Sequence, residues 1–352
     1  MEINPAIWNG KRVLITGHTG FKGSWLSVLL NQLGADVVGI SLPPVKSPYA
    51  LYCDAKISEL ITQEIFLDIR DDRELDKALK ELRPDYIFHL AAQAFVQRSV
   101  KNPRESITTN VCGTTNLLLS AFNLNILTGI TVVTTDKVYR NRGNSKPFKE
   151  SDPLGSNDPY SSSKAASELI VRSLAETCNP QGIPVATVRA GNVIGGGDWG
   201  EDRLIPDLIR SLILNSTLDI RNPDATRPWQ HVLDCLYGYL LVGQSHMSGN
   251  LETPKAVNFG PSKSLSVSQL IANLELVLNK NFKYEIRSKV FKEATWLELD
   301  SHLAKEFFGW EPFLSPEESI FQTGKWYSNF LVDGAADELM LMEINQYRVG
   351  KF

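Results

Sequence analysis

Val13-Leu14-Ile15-Thr16-Gly17-His18-Thr19-Gly20-Phe21-Lys22-Gly23 runs directly into Ser24-Trp25-Leu26-Ser27-Val28-Leu29-Leu30. The first residues read as a short buried strand, and the apolar residues beyond Gly23 recur at helical spacing. Between the two, three glycines stand three residues apart. In a strand–turn–helix of this kind the backbone N–H groups at the helix N-terminus face a pyrophosphate. Glycine is needed because the turn takes backbone angles, and the phosphate an approach, that a Cβ blocks. An ordinary packed βα turn could carry the same glycines. Their place on the first strand, with a helix following, selects dinucleotide binding, with Gly17, Thr19, Gly20, Phe21, Lys22 and Gly23 forming the cofactor turn.

The 352 residues suffice for a sizeable core and about two domains. A net charge of −4 argues against general attraction to nucleic acid or an anionic membrane, so any phosphate site must be built locally from a few cations. The four cysteines, Cys53, Cys112, Cys178 and Cys235, are far apart and fit neither a zinc site nor a disulfide framework. Reduced thiols, no metal, no signal peptide and no membrane span are expected, which together point to the cytoplasm.

Beyond the first helix the chain alternates short apolar strands with amphipathic helices. Strands are expected at 35–40, 64–68, 86–93, 130–135 and 183–189. The repeated βα alternation implies right-handed crossovers and a doubly wound parallel sheet. Ligands on such sheets lie beyond the carboxyl ends of the strands. That places Asp68 and Ile69, the small-residue strand end Leu90-Ala91-Ala92, and Thr135-Asp136-Lys137 near a bound dinucleotide. Ser41 stands where many NAD-binding folds carry an acidic residue for the ribose, and no arginine stands there for a 2′-phosphate either. The rhythm changes after about residue 190. The expected organisation is a cofactor domain over 1–190, a smaller mixed α/β substrate domain over 191–330 with some segments interleaved, and a tail over 331–352.

Tyr160 and Lys164 are four apart on a helix opened by Asp158-Pro159, hence neighbours on one face. A phenol with an ordinary pKa of about 10 is a poor base at neutral pH. A nearby ammonium and a positively charged nicotinamide ring favour the phenolate. With the Thr135 hydroxyl on the same substrate oxygen, the three groups could deprotonate an alcohol while its carbon gives hydride to the nicotinamide.

Three motifs, 17–23, Thr135-Asp136-Lys137-Val138-Tyr139 and Tyr160-Ser161-Ser162-Ser163-Lys164, together resemble the extended short-chain dehydrogenase/reductases that act on nucleotide sugars. The resemblance runs from about residue 8 to 330. Further matches at 191–199, Arg203-Leu204-Ile205-Pro206-Asp207 and Arg227-Pro228-Trp229-Gln230-His231-Val232 make it closest to the CDP-sugar branch of the dehydratases. It implies a Rossmann-type sheet, NAD as cofactor and CDP-glucose as substrate. The implied reaction oxidises C4, eliminates water across C5–C6 and returns hydride to C6. Where dTDP-sugar dehydratases carry an Asp-Glu pair after the catalytic threonine, this chain has Asp136-Lys137. The implied roles are Asp136 as acid to the departing C6 hydroxyl and Lys137 as base at C5, with Thr135, Tyr160 and Lys164 oxidising C4. Arg227 and Arg203 are expected at the diphosphate, Asn192 at a phosphate or the nicotinamide loop, and His231 in the nucleotide pocket. The resemblance further implies a homodimer or homotetramer and a place in deoxysugar and O-antigen (lipopolysaccharide) biosynthesis. Two rivals share the motifs. A nucleotide-sugar 4-epimerase would need no acid–base pair after the threonine, and a silent binding protein would need no Tyr160.

Overall fold

In the computed structural model, residues 2–45, 47–141, 143, 146–261, 263–287, 296–348 and 350 are described. Seven strands form the main sheet: β1 (Arg12–Thr16), β2 (Asp36–Ser41), β3 (Gln63–Phe66), β4 (Tyr86–His89), β5 (Gly129–Val133), β6 (Val185–Ala190) and β7 (Ala256–Phe259). Their spatial order is β7-β6-β5-β4-β1-β2-β3, and every neighbouring pair is parallel. The chain first builds outward on one side of β1 and then on the other, so the order reverses between β1 and β4. Thr16 pairs with His89 at that crevice, where such sheets bind ligands.

Both faces of the sheet are buried, which is why its strands read as nearly continuous apolar runs. Successive β1 residues point to opposite sides. Val13 and Ile15 join one core with Trp8, Trp25, Leu236, Tyr239 and Phe259. Leu14 joins the other with Val38, Ile87, Leu79, Leu118 and Ile130. Helices Phe21–Gln32 and Val232–Met247 cover the first face, and Asp72–Leu82, Thr114–Ala121 and Pro159–Thr177 the second.

Local signals fix the helix starts. Asp71 accepts from the Glu74 N–H at 3.1 Å, and Asp158 from the Ser161 N–H at 2.9 Å with Pro159 at the first helical position. Some of the expected strands end early at their carboxyl ends. β4 stops at His89 rather than running to 93, and β5 at Val133 rather than 135. The residues released from pairing are those that turn into the crevice.

After β6 the chain forms small two-stranded sheets, Val193–Ile194 with Gln230–His231, Thr226–Arg227 with Leu265–Ser266, and Leu218–Ile220 with Tyr284–Ile286. They are covered by helices Leu204–Ile213, Val267–Leu278 and Pro316–Asp333. Within this region β7 returns to the main sheet beside β6. The tail helix Ala336–Arg348 packs on the body, burying Met340 and Ile344 and pairing Asp337 with Lys56 at 2.7 Å. Cys53, Cys112 and Cys178 are exposed and Cys235 buried, all as free thiols. Among the described residues no helix is long and apolar enough to cross a membrane, and no group of three or more ligating side chains could hold a metal ion.

Candidate active site

The glycine turn leaves no room for side chains. Gly17 has a positive φ of 79°, and a Cβ there would lie 2.8 Å from the Ala91 nitrogen. A Cβ on Gly23 would lie 2.2 Å from the Gly17 carbonyl oxygen. Gly20 caps helix Phe21–Gln32 without a side-chain hydrogen bond, leaving the first-turn amides to an outside anion. The strand ends of β1 and β4 are tied together here, since the N–H of Ala91 donates to Thr16 Oγ1 at 3.2 Å. Thr16 Oγ1 also meets His89 Nδ1 at 2.7 Å, and His89 Nε2 meets Thr114 Oγ1 at 3.0 Å. Burial drives the His89 imidazole down to about 3, so it stays neutral and structural.

The turn therefore fits a dinucleotide pyrophosphate. Thr19 contributes through its hydroxyl, 2.7 Å from Ser41 Oγ, which holds the end of β2 against the turn. Asp68 accepts from Arg70 through both carboxylate oxygens, which keeps it below the usual carboxylate range. Ile69 is buried, with its Cδ1 2.6 Å from where a Cβ on Gly113 would stand.

Past β5, the Thr135 side chain caps a one-turn 3-10 helix, Asp136–Val138. The Thr135 hydroxyl donates to Asp136 Oδ1 at 2.9 Å. Asp136 Oδ2 is buried without a hydrogen-bond partner and faces Gly191, where a Cβ would lie 3.3 Å away. Burial raises the Asp136 carboxyl, with the Lys137 ammonium opposing. A carboxyl held this way keeps its proton to a higher pH.

Tyr160 and Lys164 lie on helix Pro159–Thr177, one turn apart and almost completely buried. Burial pushes the Tyr160 phenol up to about 12, against the hydrogen bond from Thr135 and the Arg203 charge. Burial and the Lys22 charge push Lys164 down to about 8. Its Nζ donates to the Val133 carbonyl at 3.0 Å, tying the helix to β5.

These groups open onto one cleft of about 710 Å³. Lys22, Thr135, Asp136, Lys137, Tyr160, Asn192, Arg203 and Arg227 all line it. Lys164, Gly17, Gly20, Gly23, Leu90, Ala91 and Ala92 are not among the lining residues, and Gly17 lies against Leu90 and Ala91 where β1 and β4 end. Arg203 donates to Asp198 Oδ2 at 2.8 Å and lies 5.6 Å from the centre of the Phe95 ring. Arg227 is nearly buried on a two-residue strand.

His231 stands apart from the cleft. It is fully buried at the start of helix Val232–Met247, where Nδ1 accepts from the Leu233 N–H at 3.4 Å. A side chain in that position serves as an N-cap rather than lining a nucleotide pocket.

Sequence reading passed over Asn110. It sits in a π-helical turn, Thr108–Gly113, and is buried. Its Nδ2 donates to Gln93 O at 3.0 Å and to Ser163 Oγ at 2.8 Å, joining the end of β4 to the Tyr160 helix. The extra residue of a π turn aims that side chain inward, and π turns cluster at functional sites. No spacing rule announces one from sequence.

Comparisons with known proteins agree with this fold. A family model described as GDP-mannose 4,6 dehydratase matches residues 14–323. The chain is 37% identical over 338 residues to CDP-glucose 4,6-dehydratase of Salmonella typhimurium, covering 94% of each protein. It is 28% identical to dTDP-glucose 4,6-dehydratase of Haemophilus influenzae, covering 90% of this chain and 97% of that one. Among solved structures, dTDP-glucose 4,6-dehydratase of Streptomyces venezuelae, solved with NAD bound, superposes with a TM-score of 0.79 at 26% identity, covering 90% and 97% of the two chains. An epimerase from Methanothermobacter thermautotrophicus superposes with a TM-score of 0.80 at 25% identity, covering 96% of each.

Proposed function

The chain belongs to the GDP-mannose 4,6 dehydratase family, and on that premise we propose that it removes water from CDP-glucose to give CDP-4-keto-6-deoxyglucose. NAD supplies a reversible hydride acceptor when bound. The observation that carries the reading is Asp136, a buried carboxyl with one oxygen held by Thr135 and the other unpartnered on the cleft wall.

Tyr160, polarised by Thr135 and backed by Lys164, takes the C4 hydroxyl proton as C4 is oxidised. The resulting ketone acidifies the neighbouring C5–H. Lys137, as the neutral amine, takes the C5 proton, and Asp136 gives its proton to the departing C6 hydroxyl, which leaves as water. Return of hydride to C6 and of the Lys137 proton to C5 restores the cofactor and the amine, and the proton left on Tyr160 passes to Asp136, which resets both for the next turnover. Arg227 and Arg203 hold the diphosphate, for which a planar fork of donors suits paired phosphate oxygens. Asn192, on the same cleft, orients a phosphate or holds the nicotinamide loop. An epimerase shares the fold and the oxidising residues but has no use for an acid poised beyond the threonine, and Asp136 favours dehydration for that reason.

Two copies associate through the helices that begin near Asn110 and Tyr160. Ile107 is 50% and Leu169 60% exposed there, and covering such side chains is worth about 25 cal/mol per Å². Sedimentation of the purified protein tests this, a monomer at micromolar concentration being the contrary result.

The substrate is tested by incubating the protein and NAD separately with CDP-glucose, dTDP-glucose, UDP-glucose and GDP-mannose and following product mass. Loss of one water from CDP-glucose alone supports the full reading. Loss from another nucleotide sugar keeps the chemistry and overturns the base. An unchanged mass with an inverted sugar replaces dehydration by epimerisation.

A further inference from the structure

Two buried charges lie behind the active site and touch neither wall of the cleft. Glu168 sits one helical turn beyond Lys164 and two beyond Tyr160, and Arg189 is the last residue but one of β6. Each side chain is 4% exposed, and they form a two-pronged ion pair. A buried pair of this kind gains little stability over an apolar replacement of the same shape, so its presence asks for another explanation.

Its remaining hydrogen bonds supply one. Thr134, immediately before Thr135, donates its hydroxyl to Glu168 Oε1 at 2.5 Å. Tyr139, immediately after the Asp136–Val138 turn, accepts from Arg189 Nη1 at 2.7 Å, with the guanidinium 4.9 Å from its ring centre. The Tyr139 hydroxyl in turn donates to Asn258 Oδ1 on β7 at 2.6 Å. Both ends of the segment 135–138 are thus gripped by one ion pair, and that pair is rooted in the helix bearing Tyr160 and Lys164.

We propose that Glu168 and Arg189 are positioning residues, a clamp that sets the Thr135-Asp136-Lys137 segment relative to Tyr160 and Lys164 and so keeps elimination in step with oxidation. The inference rests on the dehydratase reading for its kinetic consequence, though not for the clamp itself. The direction of the effect follows from the connections. Loosening the Tyr139 end frees the turn that carries Asp136 and Lys137 and leaves Tyr160 and Lys164 in place. Oxidation then proceeds while elimination lags.

Tyr139→Phe keeps the ring and removes only the hydroxyl between Arg189 and Asn258. With NAD and saturating CDP-glucose, kcat is expected to fall roughly ten- to a hundredfold with KM unchanged. A larger share of the bound nicotinamide should be reduced in steady state than in the wild type. Without cofactor, the amides of 136–138 should exchange with solvent faster. Thr187→Val is the control. It removes another hydroxyl from Glu168, at 3.1 Å, that does not hold the segment, so it should leave the reduced share unchanged. Arg189→Lys keeps the charge and loses the fork, and gives the Tyr139→Phe result by an independent route if that variant does not fold.

Wild-type kcat and exchange in a folded Tyr139→Phe protein would overturn the clamp. So would a loss of activity and thermal stability with an unchanged reduced share, which is the mark of a merely structural role. If the wild type dehydrates no nucleotide sugar, the proposed function fails, and the exchange measurement still decides the clamp.

Discussion

The Thr135 hydroxyl donates to Asp136 Oδ1 at 2.9 Å and leaves Asp136 Oδ2 buried with no hydrogen-bond partner among the described residues. One short contact thereby joins the two halves of the chemistry, because the same hydroxyl oxygen also neighbours the phenol of Tyr160. Asp136→Asn keeps shape and polarity but has no proton to give. Water loss is expected to slow by about 10²–10⁴-fold, the usual worth of a positioned acid. Reduced nicotinamide should build up during turnover, which absorbance reads directly.

Lys137→Met removes the base at C5. Product formation should stop, while solvent deuterium exchange at C5 of the oxidised sugar, measured by mass spectrometry, falls with it. Asp136→Asn should retain that exchange, which separates the two roles.

Tyr160→Phe should abolish oxidation, so neither product nor reduced nicotinamide forms, with a loss on the order of 10²–10⁴-fold. Thr135 lowers the phenol, which burial above all holds high. Thr135→Val should therefore move the acidic limb of the kcat–pH profile to higher pH, since less phenolate is present at any given pH.

Gly23→Ala places a Cβ 2.2 Å from the Gly17 carbonyl oxygen, a backbone contact that cannot rotate away. The turn must open, and the rise in Tm that NAD gives the wild type should be lost. Gly10→Ala, where no atom lies within 4 Å but φ is positive, should lower Tm modestly and keep the response to NAD.

Glu343, on the tail helix, is buried and raised to about 8 by desolvation. Its unfolded value is about 4.3, so the folded state prefers the neutral acid. That contribution to stability is complete below the unfolded value and is lost as the pH rises through about 8. Glu343→Gln should flatten the fall of Tm across this window, as measured by scanning calorimetry.

The cofactor half was legible because its signals are local. Three glycines, a following apolar helix and strands buried on both faces state the doubly wound sheet without any long-range knowledge. Thr135, Asp136, Lys137 and Tyr160 were legible for the same reason, since strand ends and a four-residue helical spacing bring them to one crevice. Elsewhere, meaning came from distant partners. Ala256–Phe259 looks like any short strand of the second region, and only pairing with Val185–Ala190 puts it in the main sheet. His231 reads as part of a nucleotide pocket beside Arg227 and Trp229, yet its place at a helix start buries it. Glu168 and Arg189 did leave a trace. An arginine inside an apolar strand and a glutamate one turn past Lys164 each call for a buried partner, and each is the other's.

The most direct measurement follows deuterium carried at C4 of CDP-glucose through one turnover with protein and NAD. Dehydration by this site predicts a product lighter by one water with the deuterium at C6, because the hydride taken from C4 is returned there. Deuterium still at C4 of an inverted sugar of unchanged mass would contradict it.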